Sequence, residues 1–259
     1  MRPRILSAVL RGERFQLASQ VRLWIKGLLF PGLDMNLQCR YRFLPTFFRK
    51  GPIDTLDAGC GNGALSLAAC QLGNRVLGVT FSQDEVKRNR EFFSGRPDIA
   101  QGQLQFDVCN IYELRKLGRQ FDQIICSETL EHIARDAEVI GILYDMLRPG
   151  GVLHVCCPYA LHPFNNQGRV NGPEDGGHVR DGYTIESYRK LLEPAGFRID
   201  AQAGLGSRFL LRLDRTIRFL RNHLGEAAAI PIFLLLRPLQ GFDRLNPPVP
   251  YSIYVRAIK

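Results

Sequence analysis

The feature that most constrains the fold is an alternation of short apolar runs with helical patterns from residue 53 onward. This alternation is typical of a parallel sheet with helices packed against it. With 259 residues, 45% of them hydrophobic, the chain can bury one large core. We therefore predict an α/β fold whose clearest strands are IDTLDAG (53–59), NRVLGVT (74–80), QLQFDVCN (103–110), FDQIICS (121–127) and GVLHVCC (151–157). Two later runs, FRIDAQA (197–203) and YSIYVRAIK (251–259), predict a total of seven strands.

A glycine-rich loop, LDAGCGNGALS (56–66), follows the first predicted strand and opens a helix at Ala64. Glycines in such a loop allow a close ligand approach that a Cβ would obstruct. The dinucleotide fingerprint is G-x-G-x-x-G, whereas the third glycine here comes one residue too early. Asp57 stands just before the loop, where a carboxylate would repel a diphosphate and suit a cation. The loop therefore favours a ligand with an ammonium group and no phosphate.

The net charge of +9 is concentrated at the two ends of the chain. Residues 1–50 carry +8 and residues 204–259 carry +6, which leaves the middle at −5. The seven cysteines include no CxxC pair, which favours a reducing compartment. No apolar run has the length of a signal peptide or a membrane span. We therefore expect a cytoplasmic protein, with peripheral contact at a membrane as a further hypothesis.

Two segments fall outside the alternating pattern. The first, near the start, places Leu6, Leu10, Leu17, Val21, Trp24, Ile25 and Leu28 close to helical spacing. The second, 204–250, opens with an apolar stripe flanked by five arginines (208, 212, 215, 218 and 221) and continues into AAAIPIFLLLRPLQGF. We predict a helical cap at 1–50, a ligand-binding core at 51–203, a helical lid inserted at 204–250 and the final strand at 251–259.

Four stretches resemble the motifs of class I S-adenosylmethionine-dependent methyltransferases, in the same order and spacing. They are LDAGCGNG, FDQIICSETLEHI, LRPGGVLHV and YRKLLEPAGFRI, and the resemblance covers about residues 53–203. The second stretch is similar to the fourth-strand motif of ubiquinone-pathway O-methyltransferases. The resemblance implies a Rossmann-like sheet of order 3-2-1-4-5-7-6 with an antiparallel seventh strand. It also implies S-adenosylmethionine as the methyl donor.

The resemblance implies roles for individual residues around that donor. Asp57, Gly59, Cys60 and Gly61 would line its methionine half, with Ser127 nearby. The second strand of the family normally ends in an acid that binds the ribose, but Thr80 stands there in this chain. A similar stretch in the cyclopropane fatty acid synthase branch suggests that Thr80, Phe81 and Gln83 serve instead. Asn110 and Ile111 would contact adenine, with Asp107 as the alternative to Asn110.

A second candidate site is the cluster Glu128, Glu131 and His132. If a helix begins near Ser127, these side chains share one face. The cluster is similar to the magnesium-binding cluster of ubiquinone-pathway and small-RNA methyltransferases, which implies Mg²⁺ as a further cofactor. Alternatively, His132 acts as a base without a metal, or the acids only complement a helix dipole. The loop 159–183 also carries His162, Glu174, Asp175 and His178, and His178 is either a fourth ligand or the base.

The function that we expect is O-methylation of a hydroxyl group on a small or lipid-like molecule, either with or without the assistance of a divalent metal. The alternatives are a C-methyltransferase acting on a lipid or isoprenoid, or a protein that binds the donor without catalysis. The basic ends could attract an anionic small molecule, rest on an anionic membrane, or form only a solvated face. RNA binding ranks lowest because stacking aromatics are not interleaved with the arginines. The oligomeric state stays open.

Overall fold

The computed structural model describes residues 27–259. Its centre is a seven-stranded sheet of order β3-β2-β1-β4-β5-β7-β6, which confirms the predicted topology. Six strands run parallel, and β7 pairs antiparallel with both β5 and β6. The strands are β1 (Asp54–Ala58), β2 (Arg75–Thr80), β3 (Leu104–Val108), β4 (Phe121–Ser127), β5 (Leu147–Pro158), β6 (Arg198–Leu205) and β7 (Ser252–Ile258).

Seven helices of eight residues or more lie within the part of the chain that the structure describes. They are α1 (Met35–Phe43), α2 (Ala64–Gln71), α3 (Gln83–Phe93), α4 (Asp136–Met146), α5 (Ile185–Leu192), α6 (Arg208–Leu224) and α7 (Glu226–Leu236). Short 3₁₀ helices occupy Leu44–Phe47, Ile111–Leu117, Leu130–His132, Glu193–Ala195 and Arg237–Phe242. Helix α2 begins at Ala64, as predicted.

Side-chain caps fix where the helices above the sheet begin. The Asp34 carboxylate accepts hydrogen bonds from the backbone N–H groups of Asn36 and Leu37 at the start of α1. The Ser207 hydroxyl accepts from Leu210 N at the start of α6. Each cap satisfies a backbone donor that the first helical turn leaves free. The caps therefore fix the residues at which α1 and α6 begin.

Buried side chains form the core on both faces of the sheet. One cluster joins β4, β5 and α4, with Phe121, Ile124 and Leu143 fully buried. A second cluster joins α1, α6 and α7 to the opposite face through Met35, Leu210 and Phe233. In sequence, helices α6 and α7 lie between β6 and β7, as expected. Their apolar side chains pack on the core.

The predicted N-terminal helix falls on residues outside the described part, apart from residues 27–29, which are helical. Among residues 27–259, no helix combines the length and the apolar character that a membrane crossing requires. The predicted boundaries of the cap, the core and the lid stay predictions.

Candidate active site

The candidate site lies at the carboxyl edge of the sheet, where β2, β1 and β4 end side by side. The three strands are parallel and adjacent, so their carboxyl ends meet at one edge. This register brings together the glycine loop after β1, Thr80 at the end of β2 and Ser127 at the end of β4. The strand order alone accounts for their proximity.

The glycine loop is tightly seated against its neighbours. Gly59 has φ +82°, and a Cβ there would lie 2.3 Å from Thr129 Oγ1. The backbone N–H groups of Gly59 and Cys60 both donate to Val79 O at 2.9 Å. The Cys60 side chain is buried. The Cys60 side chain is therefore packed beneath the loop, and its backbone carbonyl is also used within the loop, where it accepts from Gly63 N at 2.8 Å.

Asp57 is buried directly before the loop. Ser66 Oγ, on α2, donates a 2.5 Å hydrogen bond to Asp57 Oδ2. Burial raises the pKa of Asp57 to about 6, although the bond from Ser66 opposes this rise. A carboxylate in this setting is stabilised by a nearby cation.

A carboxylate that the sequence did not indicate, on the helix α3, lies beside the end of β2. Thr80 Oγ1 donates to Glu85 Oε2 at 2.7 Å. The pattern Ser82-x-x-Glu85 is a capping-box signature, and Glu85 N does donate to Ser82 Oγ at 3.3 Å. The Glu85 carboxylate, however, turns to Thr80. Glu85 therefore supplies an acid at a strand end whose own residue is a threonine.

A cavity of about 750 Å³ adjoins this part of the site. It lies between the segment 29–34, the glycine loop, α3 and the end of α6. Asn62 Nδ2 donates to Pro31 O at 2.7 Å, which ties that segment to the loop. The wall of the cavity includes Glu85 and the apolar side chains Phe30, Phe92 and Ile230. The lining of the cavity therefore combines apolar side chains with charged ones such as Arg88 and Arg221.

The residues expected near adenine lie beside the same edge. Asn110 is exposed after β3, and its Oδ1 caps the 3₁₀ helix Ile111–Leu117 by accepting from Tyr112 N. Its amide Nδ2 has no hydrogen bond in the described residues. Phe81 is 79% exposed. Asp107, the alternative, is paired with Arg90 at 2.5 Å, so Asn110 is the freer of the two.

The predicted helix beginning near Ser127 is wrong. Strand β4 continues to Ser127, Glu128 has φ +52°, and only the short 3₁₀ helix Leu130–His132 follows. Glu128 N donates to Cys156 O at 2.7 Å, which holds the chain to β5 before it turns. Glu128 and Glu131 therefore do not share a helical face, and their side chains serve different neighbours.

Glu128 faces α1. Arg40 Nη1 lies 3.2 Å from Glu128 Oε2, and the two side chains are only 11% and 27% exposed. Burial raises the pKa of Glu128, and the charge of Arg40 opposes the rise. The sequence contained no signal for this pair, because Arg40 lies outside the recognised motifs. Glu128 does not belong to the cluster that Glu131 and His132 form with His178, although its Oε1 is also buried without a hydrogen-bond partner among the described residues.

Glu131 and His132 are instead grouped with His178. One ligand atom from each of the three lies within 4.8 Å of the others. The Glu131 side chain is buried, and both of its carboxylate oxygens lack a hydrogen-bond partner among the described residues. Burial and the charge of Glu128 raise the pKa of Glu131 to about 8. A buried, unpartnered carboxylate between two imidazoles is suited to a cation or a proton.

The loop after β5 brings His178 to this position. Val179 N donates to Glu131 O at 2.8 Å, which fixes the loop to the 3₁₀ helix. His132 Nδ1 lies 2.9 Å from Gly177 O, and because a carbonyl only accepts, Nδ1 carries the hydrogen. Nε2 of a neutral His132 is then free as an acceptor. Burial and neighbouring His132 lower the pKa of His178, which favours its neutral form.

The other candidates in this loop lie elsewhere. Glu174 accepts from Tyr112 OH and from Ala134 N, so it closes the loop onto the protein surface. Asp175 accepts from Gly177 N within its own turn. His162 is buried at the far end of the loop, against Tyr251.

Unpartnered polar atoms also face the region between α1 and β4. Both carboxamide atoms of Asn36 and the Oγ of Ser127 are buried without a hydrogen-bond partner among the described residues. Asn36 and Arg40 lie one turn apart on the same face of α1. Buried polar atoms are usually satisfied, so this face of α1 is suited to a polar ligand.

The sheet order and the glycine loop after β1 define the class I S-adenosylmethionine-dependent methyltransferase fold. Residues 56–153 match a family model described as a methyltransferase domain. Residues 56–153 therefore match a methyltransferase domain, and the sheet that contains them has the topology of the class I S-adenosylmethionine-dependent methyltransferase fold.

Comparisons with individual proteins agree with this class. The mitochondrial ubiquinone biosynthesis O-methyltransferase of Mus musculus is 28% identical over 158 residues, which cover 58% of this chain and 42% of that protein. The chain thus spans less than half the length of this relative.

Two solved structures share the fold. The [4+2]-cyclase SpnF superposes with a TM-score of 0.60 at 18% identity, covering 86% of this chain and 82% of that one. An S-adenosylmethionine-dependent methyltransferase from Mesorhizobium loti superposes with a TM-score of 0.56 at 17% identity, covering 85% and 98%. At these identities the likeness shows the fold alone.

Proposed function

We propose that this chain transfers a methyl group from S-adenosylmethionine to a hydroxyl oxygen of a small or lipid-like acceptor. The observation that carries the proposal is the buried, unpartnered carboxylate of Glu131 beside His132 and His178, two residues after Thr129, which lies against Gly59 of the glycine loop. The likeness to ubiquinone biosynthesis O-methyltransferases supports oxygen as the acceptor atom.

The donor would lie along the carboxyl edge of the sheet. Gly59 and Gly61 let the methionine half approach the backbone, and buried Asp57 favours the positive charges of the ammonium and sulfonium groups. Glu85 and Thr80 would accept hydrogen bonds from the ribose hydroxyls. Asn110 would donate its free amide hydrogens to the adenine ring, and Phe81 would cover the ring. Ser127, at the end of β4, would lie beside the methyl group.

The three residues Glu131, His132 and His178 would hold a divalent ion. The carboxylate oxygens of Glu131 need a partner, and Nε2 of His132 is free because its Nδ1 donates to Gly177 O. Two imidazoles and one carboxylate suit Zn²⁺ or Mn²⁺ better than Mg²⁺, which prefers oxygen ligands. A bound ion would lower the pKa of an acceptor hydroxyl at this position. Glu128 lies outside this set, paired with Arg40.

The protein's own part in the reaction is orientation and removal of a proton. The donor already carries a good leaving group, so alignment of the oxygen with the methyl carbon contributes most to the rate. When no ion is bound, His132 Nε2 can accept the hydroxyl proton, and the Gly177 carbonyl holds its ring in the required tautomer. If no ion is used, His132 or His178 is the base.

The cavity of about 750 Å³ favours an acceptor with an apolar part. Phe30, Phe92 and Ile230 give its wall an apolar part, although charged residues such as Arg88 and Arg221 line it as well. Such a cavity can enclose a ring or a short chain while a polar end faces the edge of the sheet. A lipid-like alcohol or phenol matches this shape better than a nucleic acid.

The test is a methyl-transfer assay with labelled S-adenosylmethionine and a panel of catechols, phenols and isoprenoid alcohols. Each reaction is run after chelation and after addition of Zn²⁺, Mn²⁺ or Mg²⁺. We expect chelation and Glu131→Gln each to lower the turnover rate by about a hundredfold. Glu138→Gln, an exposed acid on the neighbouring helix, should change little. Full activity of Glu131→Gln after chelation, with loss in His132→Asn, would instead support an unassisted histidine base.

A further inference from the structure

A second cavity lies apart from the glycine loop, between the loop after β5 and the first turns of α6. Its volume is about 300 Å³. The side chains that line it are His162, Phe164, Arg208, Leu211, Arg212 and Arg215. Neither the methyl donor nor the Glu131 cluster uses these residues. The cavity is polar and basic on the α6 side and apolar at Phe164 and Leu211.

Three arginines line this cavity, and none of them has a counter-charge among the described residues. Arg208, Arg212 and Arg215 are spaced i, i+4 and i+7 along α6, so they share one face. Among residues 27–259, no carboxylate lies within ion-pair distance of any of the three. By contrast, Arg218 on the same helix pairs with Asp214. The positive end of the α6 dipole adds to the potential at Arg208.

The cavity wall orients these donors. The Arg215 guanidinium lies 3.7 Å from the centroid of the Phe164 ring, a cation–π arrangement. Stacking fixes the plane of the group and leaves its N–H edges available for an oxyanion. Phe164 N donates to His162 Nδ1 at 3.2 Å, so the hydrogen of the neutral His162 ring is on Nε2. The buried His162 therefore offers a neutral donor on the other wall.

We propose that this cavity binds the phosphate group of a phosphorylated ligand. Three arginines around one space match the charge and the several acceptor oxygens of a phosphate ester. A volume of about 300 Å³ exceeds the size of a phosphate group and leaves room for the carbon atoms of the ester against Leu211 and Phe164. The ligand is either a soluble phosphorylated compound or the headgroup of a phospholipid.

The position of the cavity links it to the candidate active site. The His162 ring lies 5.4 Å from the Tyr251 ring. Tyr251 is close enough to Glu128 for that carboxylate to raise its pKa, although burial is the larger cause. The binding proposal does not depend on methyl transfer, so the two can fail separately.

The test is a calorimetric titration of the full chain with inorganic phosphate and with glycerol 3-phosphate. We expect saturable binding at one site, weakened about tenfold by Arg212→Gln. Arg244→Gln is the matched control, because it removes the same charge from an exposed residue of the 204–250 insertion that does not line this cavity. Thermal melting of both variants verifies that they are folded.

A second experiment, with lipid vesicles, distinguishes a soluble phosphorylated compound from a phospholipid headgroup. Sedimentation is measured with phosphatidylcholine vesicles and with vesicles that also contain phosphatidic acid. Binding to the second kind only, lost in Arg212→Gln and competed by glycerol 3-phosphate, assigns the site to a lipid headgroup. Saturable binding of glycerol 3-phosphate without vesicle binding assigns it to a soluble ligand. The proposal is overturned if neither phosphate probe binds, or if Arg212→Gln and Arg244→Gln weaken binding equally.

Discussion

The hydroxyl of Thr80 donates a 2.7 Å hydrogen bond to the carboxylate of Glu85. Strand β2 ends in this threonine, and the carboxylate comes from the first turn of α3, five residues further along the chain. Glu85 therefore places a carboxylate beside a strand end whose own last residue is a threonine. Glu85 also lines the cavity next to the glycine loop, so its carboxylate is available to a ligand.

Replacing Glu85 with Gln should weaken binding of S-adenosylhomocysteine by about tenfold, because a hydrogen bond to a charged acceptor is lost. Asp84→Asn is the matched control, since Asp84 is an exposed acid in the same helical turn. Isothermal titration calorimetry measures both. Equal weakening in the two variants would show that only the overall charge of the turn matters.

Gly59→Ala should destabilise the protein much more than Gly61→Ala. Both glycines have positive φ, so each substitution costs about 1–2 kcal/mol of backbone strain. A Cβ at Gly59 would also lie 2.3 Å from Thr129 Oγ1, whereas a Cβ at Gly61 meets nothing within 4 Å. The expected further loss for Gly59→Ala is about 2 kcal/mol in the free energy of unfolding, measured in urea. Similar losses for both would mean that Thr129 moves aside freely.

The Arg40–Glu128 pair should show a coupling energy of at least about 1 kcal/mol in a double-mutant cycle of Arg40→Met and Glu128→Gln. Either single change leaves a partly buried charge without its partner, and the double change removes both charges. The exposed Arg115–Asp145 pair, with both side chains 56% exposed, provides the control and should couple by no more than about 0.5 kcal/mol. Urea unfolding gives the four free energies. A coupling energy at Arg40–Glu128 no larger than that of the control would contradict the account.

Acid should destabilise the fold through His154. This side chain is buried, accepts from Tyr254 OH at 2.7 Å and lies 2.9 Å from Gln123 Oε1. Burial, followed by the charges of Arg256 and Arg49, lowers its pKa to about 3. The unfolded chain binds the proton near pH 6.5. The stability from neutral His154 is therefore present above about pH 6.5 and is lost as the pH falls towards 3.

Urea unfolding between pH 7 and pH 4 measures this slope. His154→Asn should lower the free energy of unfolding at pH 7 by about 1–3 kcal/mol, because its hydrogen bonds are lost. It should also flatten the loss of stability on acidification. His223→Asn, at an exposed histidine of α6, should keep the wild-type slope. Parallel pH profiles for wild type and His154→Asn would refute the role of His154.

The seven strands were predictable because they are local apolar patterns, whereas their order in the sheet was implied by the resemblance to class I methyltransferases. The position of Asn110, Thr80 and Ser127 at one edge followed from strand order. Glu128 was misplaced because the positive φ at that residue, which ends the strand without starting a helix, has no sequence signature. Glu85 could have been noticed from its capping-box pattern, but its bond to Thr80 could not.

The partners of the site from distant parts of the chain were not predictable. Arg40 reaches Glu128 from a helix that precedes the first strand, and His178 reaches Glu131 through a loop fixed by the Val179 N–H group. Such contacts depend on tertiary packing and not on periodicity. The proximity of His178 to His132, which the sequence analysis raised as a hypothesis, agrees with the 4.7 Å between their ring centroids.

Calorimetric titration with S-adenosylhomocysteine tests, without knowledge of the acceptor, whether the carboxyl edge of this sheet binds S-adenosylmethionine. One saturable site per chain is expected, weakened in Glu85→Gln and retained in Asp84→Asn. The same titration in the presence of Zn²⁺ should leave one site per chain, since the proposed donor contacts do not include Glu131, His132 or His178. A complete absence of saturable binding of both S-adenosylhomocysteine and S-adenosylmethionine by the folded wild-type chain would show that this edge is not the donor site.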